Sequence, residues 1–276
     1  MSEHRFRAVK AYENLEFLRS RDARALRILS EYMEPQARFR ELRIRDTIVM
    51  FGSARILPRD EAAAALEKAR EEGGDVERAK KALEMSRFYE AARELASRLT
   101  TWSKGLEGTD RRFVICSGGG PGIMEAANRG ASEAKGENIG LNISLPFEQM
   151  ENPYITHRLG FEFHYFFMRK YWFAYMAKAF VIMPGGFGTL DELMEIMTLI
   201  QTEKIRRKVA LVLYGRDYWD KVLNLDALVE AGTISPEDIH LFHTSDSVEE
   251  AYEYLTNWLQ ENILSQDEDD ESDYFA

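Results

Sequence analysis

The chain has one cysteine in 276 residues, Cys116, so no disulfide can form within it. His157 and His164 lack metal-ligand spacing, so no zinc site is expected. No apolar run approaches the roughly 20 residues of a membrane span. The first residues, Met1 to Lys10, are polar and basic without an apolar stretch, so no signal peptide and a cytoplasmic location are expected. Excess positive charge is also missing. The formal net charge is −11, of which six negative charges lie between Asp267 and Asp273, leaving −5 for the rest. A mildly acidic body argues against a nucleic-acid binder, and the acidic end reads as a solvated, disordered tail. The length permits one large domain that buries roughly three quarters of its unfolded surface without a covalent staple.

What is present is an alternation of short apolar runs and helical patterns. Residues Ala8 to Met33 place Leu15, Leu18, Ala25, Leu26, Leu29 and Tyr32 at helical spacing, with Pro35 marking the end. This arm must pack on its own body or on another subunit. Thr47 to Phe51 reads as a first strand, and Arg59 to Arg98 as two helices divided at Gly73-Gly74. Further strands are expected at Phe113–Cys116, Asn138–Leu145 (stopped by Pro146), His157–Phe163, Ala179–Met183 and Val209–Leu213. Helices are expected at Ile123–Ala134, Tyr165–Lys178, Leu190–Gln201, Tyr218–Ala231 and Val248–Leu264. Such alternation indicates an α/β fold, a doubly wound parallel sheet with helices on both faces. Ligands of such sheets bind beyond the strand C-termini. Three loops follow strands and can share that edge: Gly52 to Arg55, Ser117 to Gly122 and Pro184 to Thr189.

The last loop is the most telling. Val181-Ile-Met-Pro-Gly-Gly-Phe-Gly-Thr-Leu-Asp-Glu192 reads as strand, glycine turn and helix start. Amides at the positive end of a helix dipole make a seat for phosphate, and Glu192 falls about one turn into that helix. Ser117-Gly-Gly-Gly-Pro-Gly122 is a second glycine loop of the same kind. One glycine turn in an α/β protein is usually structural; two on one edge favour a ligand. Neither is followed by the Gly-Lys-Ser/Thr of a nucleoside-triphosphate loop, and neither has the dinucleotide pattern. A mononucleotide or sugar phosphate suits them better. Arg169 and Lys170 precede the strand of the last loop; by pattern alone they read as a solvated basic pair beside a core aromatic stripe. Cys116 reads as a small core residue.

Ser117-Gly-Gly-Gly-Pro-Gly-Ile-Met-Glu-Ala-Ala-Asn-Arg-Gly-Ala131 and Pro184-Gly-Gly-Phe-Gly-Thr-Leu-Asp-Glu192 together resemble the LOG family. Its members are Rossmann-like proteins long labelled "possible lysine decarboxylase", and characterised ones are cytokinin riboside 5′-monophosphate phosphoribohydrolases or broader nucleoside monophosphate nucleosidases. The resemblance covers about residues 45 to 260. It lifts Arg169 and Lys170 above the solvated-pair reading, because the family carries an Arg-Lys pair there. Three features depart from the compact plant-type pattern. Met168 stands in a Phe-Met-Arg-Lys sequence lacking the family's frequent histidine, Asp191 replaces a glutamate, and an arm and helical insertion are added. A pyridoxal-phosphate decarboxylase would need a Schiff-base lysine, and neither residues nor resemblance identify one.

The resemblance implies hydrolysis of the N-glycosidic bond of a nucleoside 5′-monophosphate, AMP-like or a cytokinin riboside monophosphate, without a cofactor or metal. Arg169 and Glu192 are the expected catalytic residues. Ser53, Gly118, Gly119, Gly120, Met168, Lys170, Gly185, Gly186, Phe187, Gly188 and Thr189 are the expected substrate-binding set. The alternative is a non-catalytic nucleotide sensor, or a carrier of a phosphorylated cofactor such as molybdopterin, on the same fold. The implied organisation is an arm over 1–40, a Rossmann-like domain over 41–265 with an insertion at about 59–80, and a tail over 266–276. A homodimer or higher oligomer is expected, with neither nucleic acid nor membrane as partner.

Overall fold

The computed structural model describes residues 8–145 and 151–265; Pro146 and the acidic tail lie outside them. In chain order the elements are α1 (Leu15–Arg19), α2 (Arg24–Glu41), β1 (Thr47–Phe51), α3 (Arg59–Glu72), α4 (Val76–Lys104), β2 (Val114–Ser117), α5 (Ile123–Glu133) and β3 (Asn138–Ile143). They continue as β4 (Gly160–Phe163), α6 (Phe166–Met176), β5 (Ala177–Ile182), α7 (Phe187–Gln201), β6 (Ala210–Tyr214), α8 (Arg216–Val222), α9 (Leu225–Glu230), β7 (His243–Ser245) and α10 (Val248–Leu259).

All seven strands join one sheet in the order β4-β3-β2-β1-β5-β6-β7, and every pairing is parallel. The expected doubly wound α/β sheet is therefore present. The chain starts at β1 in the centre, steps outward to β4, then returns beside β1 and steps outward the other way. The strand order reverses between β1 and β5, where a crevice opens beyond the strand ends.

The strands read as continuous apolar runs because both faces are covered. Ile48, Met50, Ile115, Val181 and Val212 point to the layer of α4, α5 and α10. Val49, Phe51, Cys116, Phe180, Ile182 and Leu213 alternate with them and point to the layer of α2, α6 and α7. Burial of Cys116 pushes its thiol far up, so it is an inert core residue. The Asp75 and Ser247 side chains cap α4 and α10 by accepting from the amides of Arg78 and Glu250.

The arm departs from expectation. Pro35 does not end its helix but lies buried inside α2. A mid-helix proline leaves the carbonyl four residues back without its helical donor. Here that carbonyl, on Glu31, accepts from the Trp172 indole at 2.9 Å. The Glu31 carboxylate accepts from the amides of His164 and Tyr165 at 2.8 and 3.2 Å, just ahead of α6. Phe39 of α2 meets Trp172 edge to face, with ring centroids 5.4 Å apart. The arm thus packs on its own domain and grips α6.

Other boundaries also differ. His157–Leu159 is a 3-10 turn ahead of β4 rather than strand. The expected helix from Tyr165 to Lys178 stops at Met176, and β5 begins directly at Ala177. Tyr218–Ala231 is two helices, because Asn224 caps a fresh start at α9. Beyond Leu259 the last helix widens into a π-helical turn, Gln260–Leu264. The three-residue strand β7 was not anticipated.

Candidate active site at the β1–β5 crevice

The chain leaves β5 through Met183 and Pro184, turns at Gly185-Gly186 and enters α7 at Phe187. The turn is tied to its neighbours through backbone. The Ser53 amide donates to the Pro184 carbonyl at 3.0 Å, and the Ser53 carbonyl accepts from the Ile123 amide at 3.0 Å. Ser53 thereby links the loops after β1 and β5 to the start of α5. Tyr218 of α8 donates its hydroxyl to the Gly185 carbonyl at 2.7 Å, a brace with no visible sequence signal. The Thr189 hydroxyl folds back over the turn, and a Cβ on Gly185 would stand 2.0 Å from it. Only glycine fits there. Gly186 and Gly188 have open space where a side chain would be, and Phe187 projects almost wholly into solvent.

Glu192 sits one turn inside α7 and is buried. Burial pushes its carboxyl up to about 7, against the nearby positive charges of Lys170 and Arg169. A carboxyl poised there can hold or release a proton near neutrality. Arg169 reaches the same space from α6. Its Nε donates to the Leu141 carbonyl at 2.7 Å, fixing the guanidinium at the end of β3. Its Nη2 lies against Gly118, where a Cβ would come within 2.6 Å of it. Burial lowers the arginine's pKa, and the Glu192 charge raises it. Arg169 is thus not the solvated residue that the bare pattern suggested.

Lys170 has other work. Its ammonium bonds Glu195 at 2.6 Å and Asp191 at 2.9 Å; Asp191 immediately precedes Glu192 along α7, and Glu195 lies about one turn after it. It ties α6 to α7 and supplies positive charge beside Glu192. Met168 is buried in the apolar layer shared with Trp172 and Phe173. Among the described residues no cluster of three or more His, Cys, Asp or Glu could hold a metal.

The second glycine loop forms the wall beyond β2. The Ser117 hydroxyl donates to Asn128 Oδ1 at 2.6 Å and accepts from the Gly119 amide at 3.0 Å. Asn152 Nδ2 reaches the carbonyls of Gly119 and Gly120, both at 3.1 Å. Asn128 also donates to Asn138 Oδ1 at 2.9 Å. A buried amide network therefore holds Ser117–Gly120 rigid, joined by residues too far apart in sequence to form a local pattern. Gly119 has φ +74° and presses against Asn142, whose amide would stand 2.5 Å from any Cβ there.

The structure brings Ser53, the Ser117–Gly120 loop, the Gly185–Thr189 turn, Arg169 and Glu192 to one edge of the sheet. It leaves Met168 in the core and commits Lys170 to carboxylates.

The model of the family described as "Possible lysine decarboxylase" matches residues 124–255. Arg169, the Pro184–Thr189 turn and Glu192 all lie inside that segment. Cytokinin riboside 5′-monophosphate phosphoribohydrolase LOG1 of Arabidopsis thaliana is 35% identical over 92 residues, 33% of this chain and 43% of that protein. LOG5 of the same plant is 28% identical over 172 residues, 61% of this chain and 70% of that protein. The probable phosphoribohydrolase LOGL3 of Oryza sativa subsp. japonica is 25% identical over 177 residues, covering 62% of this chain and 77% of its own. Among solved structures, a Moco carrier protein from Chlamydomonas reinhardtii superposes with a TM-score of 0.46 at 18% identity, over 79% of this chain and 99% of that one. The chain spans less than half the length of the first of these plant relatives. With the glycine turn, Arg169 and Glu192 inside the matched segment, this chain is similar to proteins of the LOG family.

Proposed function

We propose that the protein hydrolyses the N-glycosidic bond of a nucleoside 5′-monophosphate, AMP-like or a cytokinin riboside monophosphate, to free base and ribose 5-phosphate. The observation that carries the reading is Glu192, a buried carboxyl beside Arg169 and one turn from a glycine-rich helix start. The phosphate sits on the amides of Gly185, Gly186, Gly188 and Thr189, with the Thr189 hydroxyl as a further donor. Anchoring it places the ribose over Glu192, so that binding energy remote from the bond positions the reacting carbon. The C1′–N bond breaks first, and positive charge develops on the ribose as in glycoside hydrolysis. The Glu192 carboxylate stabilises that charge and takes a proton from the water that adds to C1′. The departing base keeps the bonding electron pair, Arg169 offsets its negative charge, and the base is protonated by water.

The plant relatives bear the name of this activity, and both candidate catalytic residues are present here. A second copy of the chain is the proposed cover for the apolar side chains exposed along α2 and the start of α6, including Leu29, Met33, Phe166 and Phe167. Light scattering tests that homodimer. A cytoplasmic setting is part of the same reading.

The decisive experiment is chromatography of purified protein incubated with a panel of nucleoside monophosphates. Base release from wild type, lost in Glu192→Gln and Arg169→Ala, supports the enzyme. Thermal stabilisation by a nucleotide without base release selects the sensor or carrier instead.

A further inference from the structure

Four asparagines are buried among the described residues: Asn128, Asn138, Asn142 and Asn152. Three belong to the network behind the Ser117–Gly120 loop, where their side chains are paired. Asn142 is different. It is 8% exposed, and its enclosed Nδ2 has no hydrogen-bond partner among the described residues. A buried donor left unmade is a standing cost to the fold, and such a group persists where a ligand supplies the missing acceptor.

Its place says which part of a ligand that is. Asn142 lies near the C-terminal end of β3, against Gly119, one residue beyond the carbonyl that holds Arg169. From β5, which carries the phosphate turn, β3 is three strands away across β1 and β2. At about 4.8 Å per strand that is about 14 Å, comparable to the reach of a nucleoside monophosphate from phosphate to the far edge of its base. A phosphate held on the β5 turn would set the ribose over β1 and β2 and extend the base toward β3.

We infer that Asn142 reads the base, its Nδ2–H donating to N7 and its Oδ1 accepting from the exocyclic amine of a 6-aminopurine. A carboxamide offers one donor beside one acceptor, and the adenine edge presents the complementary pair. On a 6-oxopurine the same edge presents two acceptors, N7 and O6, and Oδ1 then faces an oxygen. Asn142 is in this way a specificity-determining residue for the reaction proposed above, and the inference rests on the phosphate seat of that proposal.

The test is calorimetric binding of AMP, IMP and ribose 5-phosphate to Glu192→Gln protein, with and without Asn142→Ala. The Glu192→Gln background keeps the nucleotide intact. The expected result is at least a tenfold loss of AMP affinity, ribose 5-phosphate affinity within twofold, and collapse of the preference for AMP over IMP. Unchanged AMP affinity, or equal weakening of AMP and ribose 5-phosphate, overturns the inference. Asn142→Asp keeps the shape while removing the donor, so it serves if the alanine variant does not fold; AMP binding like that of the parent overturns the inference there too. Base release by wild-type protein is scored separately. Its absence with AMP binding intact sinks the hydrolase and leaves the role of Asn142 standing. Failure of the parent protein to bind all three ligands overturns both.

Discussion

The indole of Trp172 closes the gap that Pro35 opens in α2: its Nε1 donates to the Glu31 carbonyl at 2.9 Å. One residue of the arm thus holds α6 twice, since the Glu31 carboxylate also takes the amides of His164 and Tyr165. Arg169 is carried on the helix so held. Glu31→Ala removes the acceptor of both amides and is expected to cost about 1 kcal/mol, with a fall in turnover as Arg169 loses its fixed position. Trp172→Phe leaves a buried carbonyl unpaired and is expected to cost on the order of 1–3 kcal/mol. Urea denaturation measures both, and loss below 0.5 kcal/mol in each would show the grip to be incidental.

Catalysis is expected to hinge on two side chains. Glu192→Gln should lower kcat for base release from AMP by roughly 10²–10⁴-fold, the span of general acid–base assistance. Activity of the wild type should rise with pH through about 7, as the carboxyl ionises. Arg169→Ala should lower kcat comparably. Steady-state kinetics across pH 5 to 9 decides this, and a variant with wild-type turnover is excluded from the role assigned to it.

The same carboxyl makes folding stability depend on pH. Its pKa is raised in the fold from an ordinary value of 4.5 to about 7, so the folded protein holds the proton more tightly than the unfolded chain. That contribution is complete below 4.5 and is lost as pH rises through 7. The loss amounts to roughly 3 kcal/mol. Stability should therefore fall between pH 5 and pH 8 in the wild type and much less in Glu192→Gln. Denaturant curves at the two pH values read the difference directly; a constant gap between the proteins would contradict it.

Tyr218 offers a milder probe. Its hydroxyl braces the Gly185 carbonyl at 2.7 Å, and burial raises its pKa, so it remains a donor at neutral pH. Tyr218→Phe is expected to raise KM for AMP about threefold to tenfold, as loss of a hydrogen bond worth about 1 kcal/mol would, with kcat little changed. Initial rates over a range of AMP concentration test this.

Much of the fold was legible because parallel strands buried on both faces carry continuous apolar runs. Thr47–Phe51 and Ala210–Tyr214 stand out for that reason. The glycine turn and Glu192 were legible because their local sequence dictates a strand, a turn and a helix start. What escaped notice depends on partners distant in sequence. Pro35 looks like a helix stop until Trp172, 137 positions on, supplies the missing donor. Lys170 reads by pattern as a solvated basic residue until Asp191 and Glu195 of α7 prove to bond it. Asn142 looks like one polar residue in a strand until its neighbours prove paired and it does not. His243–Ser245 is too short to show a period at all.

Ser53 joins the loops after β1 and β5 and the start of α5 through its own amide and carbonyl. Because backbone makes those joints, exchanging the side chain there should leave them in place, whereas an N-methylated or proline residue would cut one. The two glycine walls of the crevice are then coupled as a single rigid piece. The nucleotide proposed to bind there would have little loop motion to freeze, so its affinity should respond to the groups it touches rather than to how flexible the loops are.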